Sequence, residues 1–401
     1  MLLACICTAN LFAGNPDRVG SAGASQLLIN PWARSSGLGG SNIASVRGLE
    51  SLYGNVAGLA FTNKTELIFS RSSWIADIPI NSFGFSQRMS ESSVLAVAIS
   101  SMSLADITIT TELLPDGGLG TYSISSTNLN VGFSKAFSNS IYGGFVMKAI
   151  IEGTSDVTAS GIALDAGIQY ITGDSDHIKF GIALKNVGPT MVFNGDGISF
   201  RGNAPDGEYT MTLEQRTNSF ELPSLLNIGL AYDLPLLPTN HRLTTAGTFT
   251  SNSFQNDQFR FGLEYSFKEL VSLRGGYIYE DGLSDGSTDL TGVSAGFTVE
   301  LPLSGETTFG VDYSLRSADH FGLLNTIGHR TPGGANVPWL NLFIAGEGYH
   351  KNHHDNFKKV RLHKWDTGGW LAEKLFYDKQ RKTSRSNGPR FADAKRITRK
   401  N

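Results

Sequence analysis

Cysteine is nearly missing from this chain of 401 residues. There are two, Cys5 and Cys7, and both sit at the start. A disulfide framework is therefore excluded for the body of the protein. Charge is scarce as well, at 17% of residues against about 25% in an average protein. That excludes a chain kept disordered by its charges, because Phe, Tyr and Val are plentiful. No run of about 18 consecutive apolar residues occurs, which argues against a helical membrane protein. The 46 glycines lack a three-residue period, which excludes collagen. Also missing are a G-x-S-x-G elbow, a P-loop and an H-E-x-x-H motif. The expectation is a protein that is not an enzyme and holds no cofactor. What remains is a secreted all-β protein or a transmembrane β-barrel.

The net charge of −3 hides a division. Residues 331–401 carry 15 Lys and Arg against 6 Asp and Glu, while residues 1–330 carry 18 against 30. A break of that size marks two segments of different character. The first residues, through Ala13, read as the apolar core of a secretory leader, without the basic stretch that normally precedes one. Residues 1–13 are thus expected to be a signal peptide.

From Thr65 to Leu315 the dominant period is two. Phe259, Phe261, Leu263, Tyr265 and Phe267 alternate with Arg260, Gly262, Glu264 and Ser266. Leu273 to Glu280, Val293 to Leu301 and Phe309 to Leu315 repeat the pattern, as do earlier segments. Successive strand residues point to opposite faces, so each segment has one apolar face and one small or polar face. The segments run about 8–11 residues, the length a tilted membrane strand needs, whereas soluble strands average about 5–6. A soluble β-sandwich is the alternative. The aromatic and aliphatic face suits lipid and the Gly, Ser and Thr face suits a wet lumen. On that face Arg260, Glu264, Arg274, Glu280, Glu300 and Asp312 are expected to pair with one another and hold the barrel's shape. Residues 191–223 break the period and read as a long loop. Residues 31–60 are rich in Gly and Ser and precede the first clear strand.

Within that entry segment Pro31-Trp32-Ala33-Arg34, Gly37-Leu38-Gly39-Gly40-Ser41 and Tyr53-Gly54-Asn55-Val56-Ala57-Gly58-Leu59-Ala60 follow one another. Together with Leu184-Lys185-Asn186-Val187-Gly188 and Phe309-Gly310-Val311-Asp312-Tyr313, they resemble the PorV/PorQ-type outer-membrane proteins, relatives of the fatty-acid-transporter barrels, over residues 15–330. The resemblance implies an all-β, antiparallel transmembrane barrel of about 14 strands in the bacterial outer membrane. It places residues 14–64 inside the lumen as a plug-like segment and residues 65–330 in the barrel. It implies outer-membrane lipid as surroundings. It also implies partnership in type IX secretion, with a translocon and with cargo carrying C-terminal sorting domains. Ala33, Arg34, Gly37, Gly39, Gly40, Asn55, Ala57, Gly58, Leu59, Asn186 and Gly188 are the motif residues, read as serving tight backbone turns. Val56 stands where the family has proline, which implies a looser turn. Kinship with fatty-acid transporters offers a second function, transport of hydrophobic small molecules.

The tail contains Gly346-Glu347-Gly348-Tyr349-His350-Lys351-Asn352-His353-His354. It resembles the third histidine box of membrane fatty acyl desaturases, where such histidines hold a di-iron centre. The partner boxes and helices that such a centre requires are missing. His350, His353 and His354 are therefore an orphan box, open at most to adventitious metal. Residues 331–401 are expected to be a short, basic, partly disordered tail that binds no nucleic acid.

Overall fold

The computed structural model describes residues 18–329, apart from 105, 204–206, 208, 236–237, 239, 281–291, 303–307 and 319–321. The expected leader, the histidine box and the rest of the basic tail lie outside the described residues.

Fourteen antiparallel strands close into a barrel. In chain order they are β1 Thr65–Ser73, β2 Pro79–Arg88, β3 Ser93–Ser103, β4 Ser125–Ala136, β5 Ile141–Gly153, β6 Thr158–Thr172 and β7 Ile178–Val187. The second half is β8 Leu225–Asp233, β9 His241–Asn252, β10 Gln258–Phe267, β11 Val271–Glu280, β12 Gly292–Pro302, β13 Thr308–Ala318 and β14 Gly322–His329. Each strand pairs with the next, and β1 closes the ring on β14 with Phe69 opposite His329. Closure leaves no strand edge unpaired, which hydrocarbon demands. Among the described residues a bulge interrupts the ladder between Leu164 and Ala166, where β6 meets β7.

The outer face is apolar all the way round. Phe83, Ile99, Phe145, Ile151, Ile162, Ile168, Ile182, Phe261 and Leu273 all stand exposed on it. A soluble monomer rarely carries an apolar patch above a few hundred Å², so this belt faces lipid. No helix among the described residues is long and apolar enough to cross a membrane; the strands do the crossing.

The two ends differ. One carries the short connections 89–92, 137–140, 173–177 and 268–270. The other carries the long ones, 104–124 and 188–224. Outer-membrane barrels keep short turns on the periplasmic side and long loops outside. The two ends are called inner and outer accordingly.

The polar-reading segment 191–223 is more than a loop. Ser199–Asn203 and Thr210–Glu214 form a hairpin of their own. Its base turns inward: Met191 pairs with Phe220, and both Met191 and Leu222 are buried against Leu27, Ile150 and Ala163. The period-two pattern could not show this, because these apolar residues are single and follow no strand period.

The chain threads the barrel from outside to inside before it forms a strand. Arg18 and Gly23 bond Glu221 at the outer end. The segment then descends through the lumen as a 3-10 turn Ser25–Leu28, a short helix α1 Ala33–Gly37, and 3-10 turns Gly48–Leu52 and Val56–Phe61. It enters β1 at the inner end. The lumen is therefore filled by a plug, and the small residues on the inner wall face are its seat. A Cβ on Gly132 would meet Leu52 at 2.2 Å, and one on Gly276 would meet the Leu38 backbone at 2.4 Å. The wet lumen inferred from Gly, Ser and Thr is corrected here: across the plug's depth those residues face protein.

Candidate functional site

The plug is bolted to the wall by backbone acceptors and side-chain donors. Ser70 Oγ donates to the Pro31 carbonyl at 2.6 Å, Thr248 Oγ1 to Ser41 at 2.8 Å, and Ser134 Oγ to Ala57 at 3.1 Å. Gln169 Nε2 donates to the Ile43 and Val46 carbonyls, both at 3.1 Å. Backbone polar groups inside a membrane barrel need such partners.

The motif residues take their places in this seat. Asn55 is buried; its Nδ2 donates to the Ile43 and Ile168 carbonyls, and its Oδ1 accepts from Ala57 N at 3.2 Å. That bond spans Val56 and caps the turn Val56–Phe61. Ala57 and Leu59 are fully buried, and a Cβ on Gly58 would strike the Val46 carbonyl oxygen at 2.0 Å. Gly39 and Gly40 have φ of +61° and +73°, a region where glycine costs least. Gly37 lies against Gly296 of β12, and Ala33 is buried beside Gly328 of β14.

Asn186 and Gly188 belong to a second network near the outer end. Asn186, at φ +58°, donates its backbone N–H to Asp165 at 2.7 Å and accepts from Lys148 Nζ at 2.7 Å. Lys148 also bridges Asp165 at 2.6 Å. The Asn186 amide reaches the Pro223 carbonyl at 3.0 Å, which ties the returning base of the long loop to the wall. A Cβ on Gly188 would meet the Ile162 carbonyl at 2.2 Å.

The lumenal charges divide into two groups. Toward the inner end, Arg34 from α1 bonds Asp312 of β13 at 2.9 Å and also Glu300 of β12. Arg274 of β11 bonds Glu264 of β10 at 2.5 Å and donates to Thr298 at 2.5 Å. Glu264 also accepts from Arg242 of β9 at 3.0 Å. Toward the outer end Arg260 and Glu280 do not meet; each bonds Gln258 instead. Arg260 Nη1 lies 2.7 Å from where a Gly40 Cβ would stand, so it packs on the plug. Sequence reasoning placed all six on the lumen side but missed the plug's contribution to their pairing. It also missed Arg242, Lys179 and Asp233, the last two joined at 2.5 Å. Their alternation with outward apolar residues on β7–β9 was the available signal. Glu50 had none, being one acid in an apolar stretch.

A vestibule of about 580 Å³ lies at the inner end, bounded by Arg34, Arg47, Glu50, Asp233, Arg242 and Glu264. Burial alone works against the Arg34 charge, but Asp312, Glu50 and Glu300 outweigh it and hold the guanidinium protonated well above its usual range. Burial, then the Asp312 carboxylate, pushes the Glu50 carboxyl up to about 7. Burial lowers Arg47, which stacks over Phe61 at 4.5 Å.

The outer half of the lumen is different. A cavity of about 160 Å³ lies between the plug's first residues and the wall, lined by Ala22, Leu28, Pro223 and Phe254 with Asn252 and Ser224. Phe254 is buried and carries Arg18 over its ring at 4.2 Å. Deeper lies a smaller cleft of about 40 Å³ lined by Leu27, Ile29, Trp32, Leu52, Tyr53 and Ala98. Burial holds the Tyr53 phenol above its usual range. Among the described residues no three His, Cys, Asp or Glu stand together to hold a metal.

A closed 14-strand barrel with a lipid-facing belt and a lumenal plug defines a transmembrane β-barrel of the outer-membrane type. No family model matches the sequence, and no curated protein matches it. Solved structures of similar architecture include the CymD monoaromatic hydrocarbon channel, at 12% identity and TM-score 0.49, covering 76% of this chain and 98% of that one. The Pseudomonas putida toluene transporter TodX is similar at 13% identity and TM-score 0.47, covering 75% and 96%. A Pseudomonas aeruginosa FadL homologue is similar at 11% identity and TM-score 0.39, covering 75% and 96%.

Proposed function

We propose that this barrel admits small hydrophobic molecules through the bacterial outer membrane. The observation that supports the reading is the outer-end cavity of about 160 Å³ walled by Leu28, Pro223 and Phe254. An apolar engineered cavity of about 150 Å³ binds benzene; this pocket is of similar volume, with Ser25, Ser224, Asn252 and Gln255 beside its apolar walls. Its neighbours inward, Leu27, Ile29 and Trp32, continue the apolar lining. The hydrocarbon channels named above are described as handling ligands of this class, but the case here rests on the cavity and not on that likeness. Binding of a small aromatic by the purified barrel tests it. Saturable binding that Leu28→Asp weakens by tenfold or more is expected, and no saturable binding would refute the reading.

A second reading keeps the partners implied by the entry-segment motifs, a type IX translocon and cargo with C-terminal sorting domains. The order of Ala33-Arg34, Gly37–Gly40 and Asn55–Leu59 favours it. Those residues also have a sufficient role in seating the plug. Co-purification of a large translocon from native membranes is the result this reading expects; a barrel that always purifies alone would end it.

A further inference from the structure

Glu50 is the one acid of the plug's turn Gly48–Leu52, and it is 3% exposed. Its Oε2 accepts from Ser35 N at 3.3 Å and from Ser35 Oγ at 3.1 Å, joining that turn to α1. Asn42 Nδ2 braces the same hydroxyl at 3.0 Å. Around it stand Arg34 on α1, Arg274 on β11 with its partner Glu264 on β10, Glu300 on β12 and Asp312 on β13. On the β1 side Glu66 accepts from Leu49 N at 2.9 Å. Four carboxylates, Glu300, Asp312, Glu264 and Glu269, already share three guanidiniums, those of Arg34, Arg274 and Arg242. An ionised Glu50 adds a fifth carboxylate beside that set in a buried place, whereas a protonated one adds only hydrogen bonds. Both Glu50 and Arg34 border the inner vestibule, so protons and water reach them.

We propose that the plug's seat on β12 and β13 is a proton-controlled latch worked by Glu50, closed when Glu50 is protonated and loosened when it ionises. The consequence for permeation rests on the transport function proposed above; the latch itself does not. Burial holds the Glu50 carboxyl near 7, against 4.5 for a free one. The folded seat therefore binds a proton that the opened seat releases. By linkage its stability falls as pH climbs from about 4.5 to about 7, and is level above that. If opening exposes Glu50 to solvent, the open population rises severalfold per pH unit between the free and the buried range of Glu50 and little above it.

The test uses the full chain with Cys5→Ser and Cys7→Ser, and a single thiol introduced by Leu38→Cys, where Leu38 is 5% exposed. Labelling rates are divided by those of Leu113→Cys on the outer loop, where Leu113 is 92% exposed, to remove the reagent's own pH dependence. The expected result is a normalised rate that climbs below pH 7 and flattens above it in the parent, and a flat rate in Glu50→Gln. A flat parent profile, a parent rate still climbing steeply past pH 8, or a Glu50→Gln profile like the parent's would overturn the latch. If Glu50→Gln does not insert, the parent profile, checked by amide exchange over residues 33–42, decides alone. A labelling profile as expected with no binding of small aromatics sinks the transport reading and leaves the latch standing.

Discussion

On the side of β1–β5 the plug lies on apolar packing. Trp32, Leu49, Leu52, Val56 and Leu59 meet Ile68, Val94, Ala96, Ala98 and Val146 in one buried cluster. On the side of β10–β13 the same plug is held by Arg34 to Asp312 and Glu300, by Ser294 Oγ to the Gly37 carbonyl, and by backbone lying close on Gly276 and Gly296. The apolar side is close-packed, and close-packed side chains resist displacement; its carboxylate, Glu66, is held by the Leu49 N–H at 2.9 Å. The polar side borders the vestibule and is held by charged and hydrogen-bonding groups. On the latch proposed above, one side is a fixed mount and the other an adjustable contact, and the plug stays attached while part of its rim loosens.

Substitutions can collapse this contrast. The largest effect is expected from Gly276→Val, whose Cβ would meet the Leu38 backbone at 2.4 Å. Backbone cannot swing aside, so the plug's polar side should be forced off. Planar-bilayer recordings should show a persistent open level that the parent lacks. Next is Leu59→Ala on the fixed side, where Leu59 is fully buried. Emptying that site should cost about 2–5 kcal/mol, read as a lowered urea midpoint for the folded barrel. Arg34→Ala on the polar side strips Asp312 and Glu300 of a partner. With the Arg34 side chain 22% exposed and partly solvated, the cost should be about 2–3 kcal/mol, read as a lowered urea midpoint. Smallest is Val19→Cys at the outer end, 61% exposed. It should leave stability unchanged and react with an impermeant thiol reagent on intact cells. Protection there would reverse the orientation.

The wall was readable from sequence because each strand faces lipid on one side and protein on the other. Phe259, Phe261 and Leu263 alternating with Arg260, Gly262 and Glu264 report that directly. The plug's course was harder to read. Its helix and turns are each six residues or fewer, too short for a period, and their partners are carbonyl groups that every residue has. Gly132 and Gly276 looked like spacing for water because a sequence does not show that a side chain or backbone from elsewhere lies on them. The motif residues Asn55 and Gly58 were identifiable by type, since few residues cap a turn or allow a carbonyl at such range. The setting of Glu50 and the cavity beside Phe254 depend on distant parts of the chain coming together, Glu50 within the field of Asp312 and Ala22 lining one pocket with Pro223.

Fluorine NMR of fluorobenzene with the purified barrel in detergent addresses the transport reading most directly, with Leu28→Asp as the reference for partition into micelles. The account predicts a saturable component, one ring per barrel, in the parent and its loss in the variant. Identical, non-saturating partition in both proteins would contradict it.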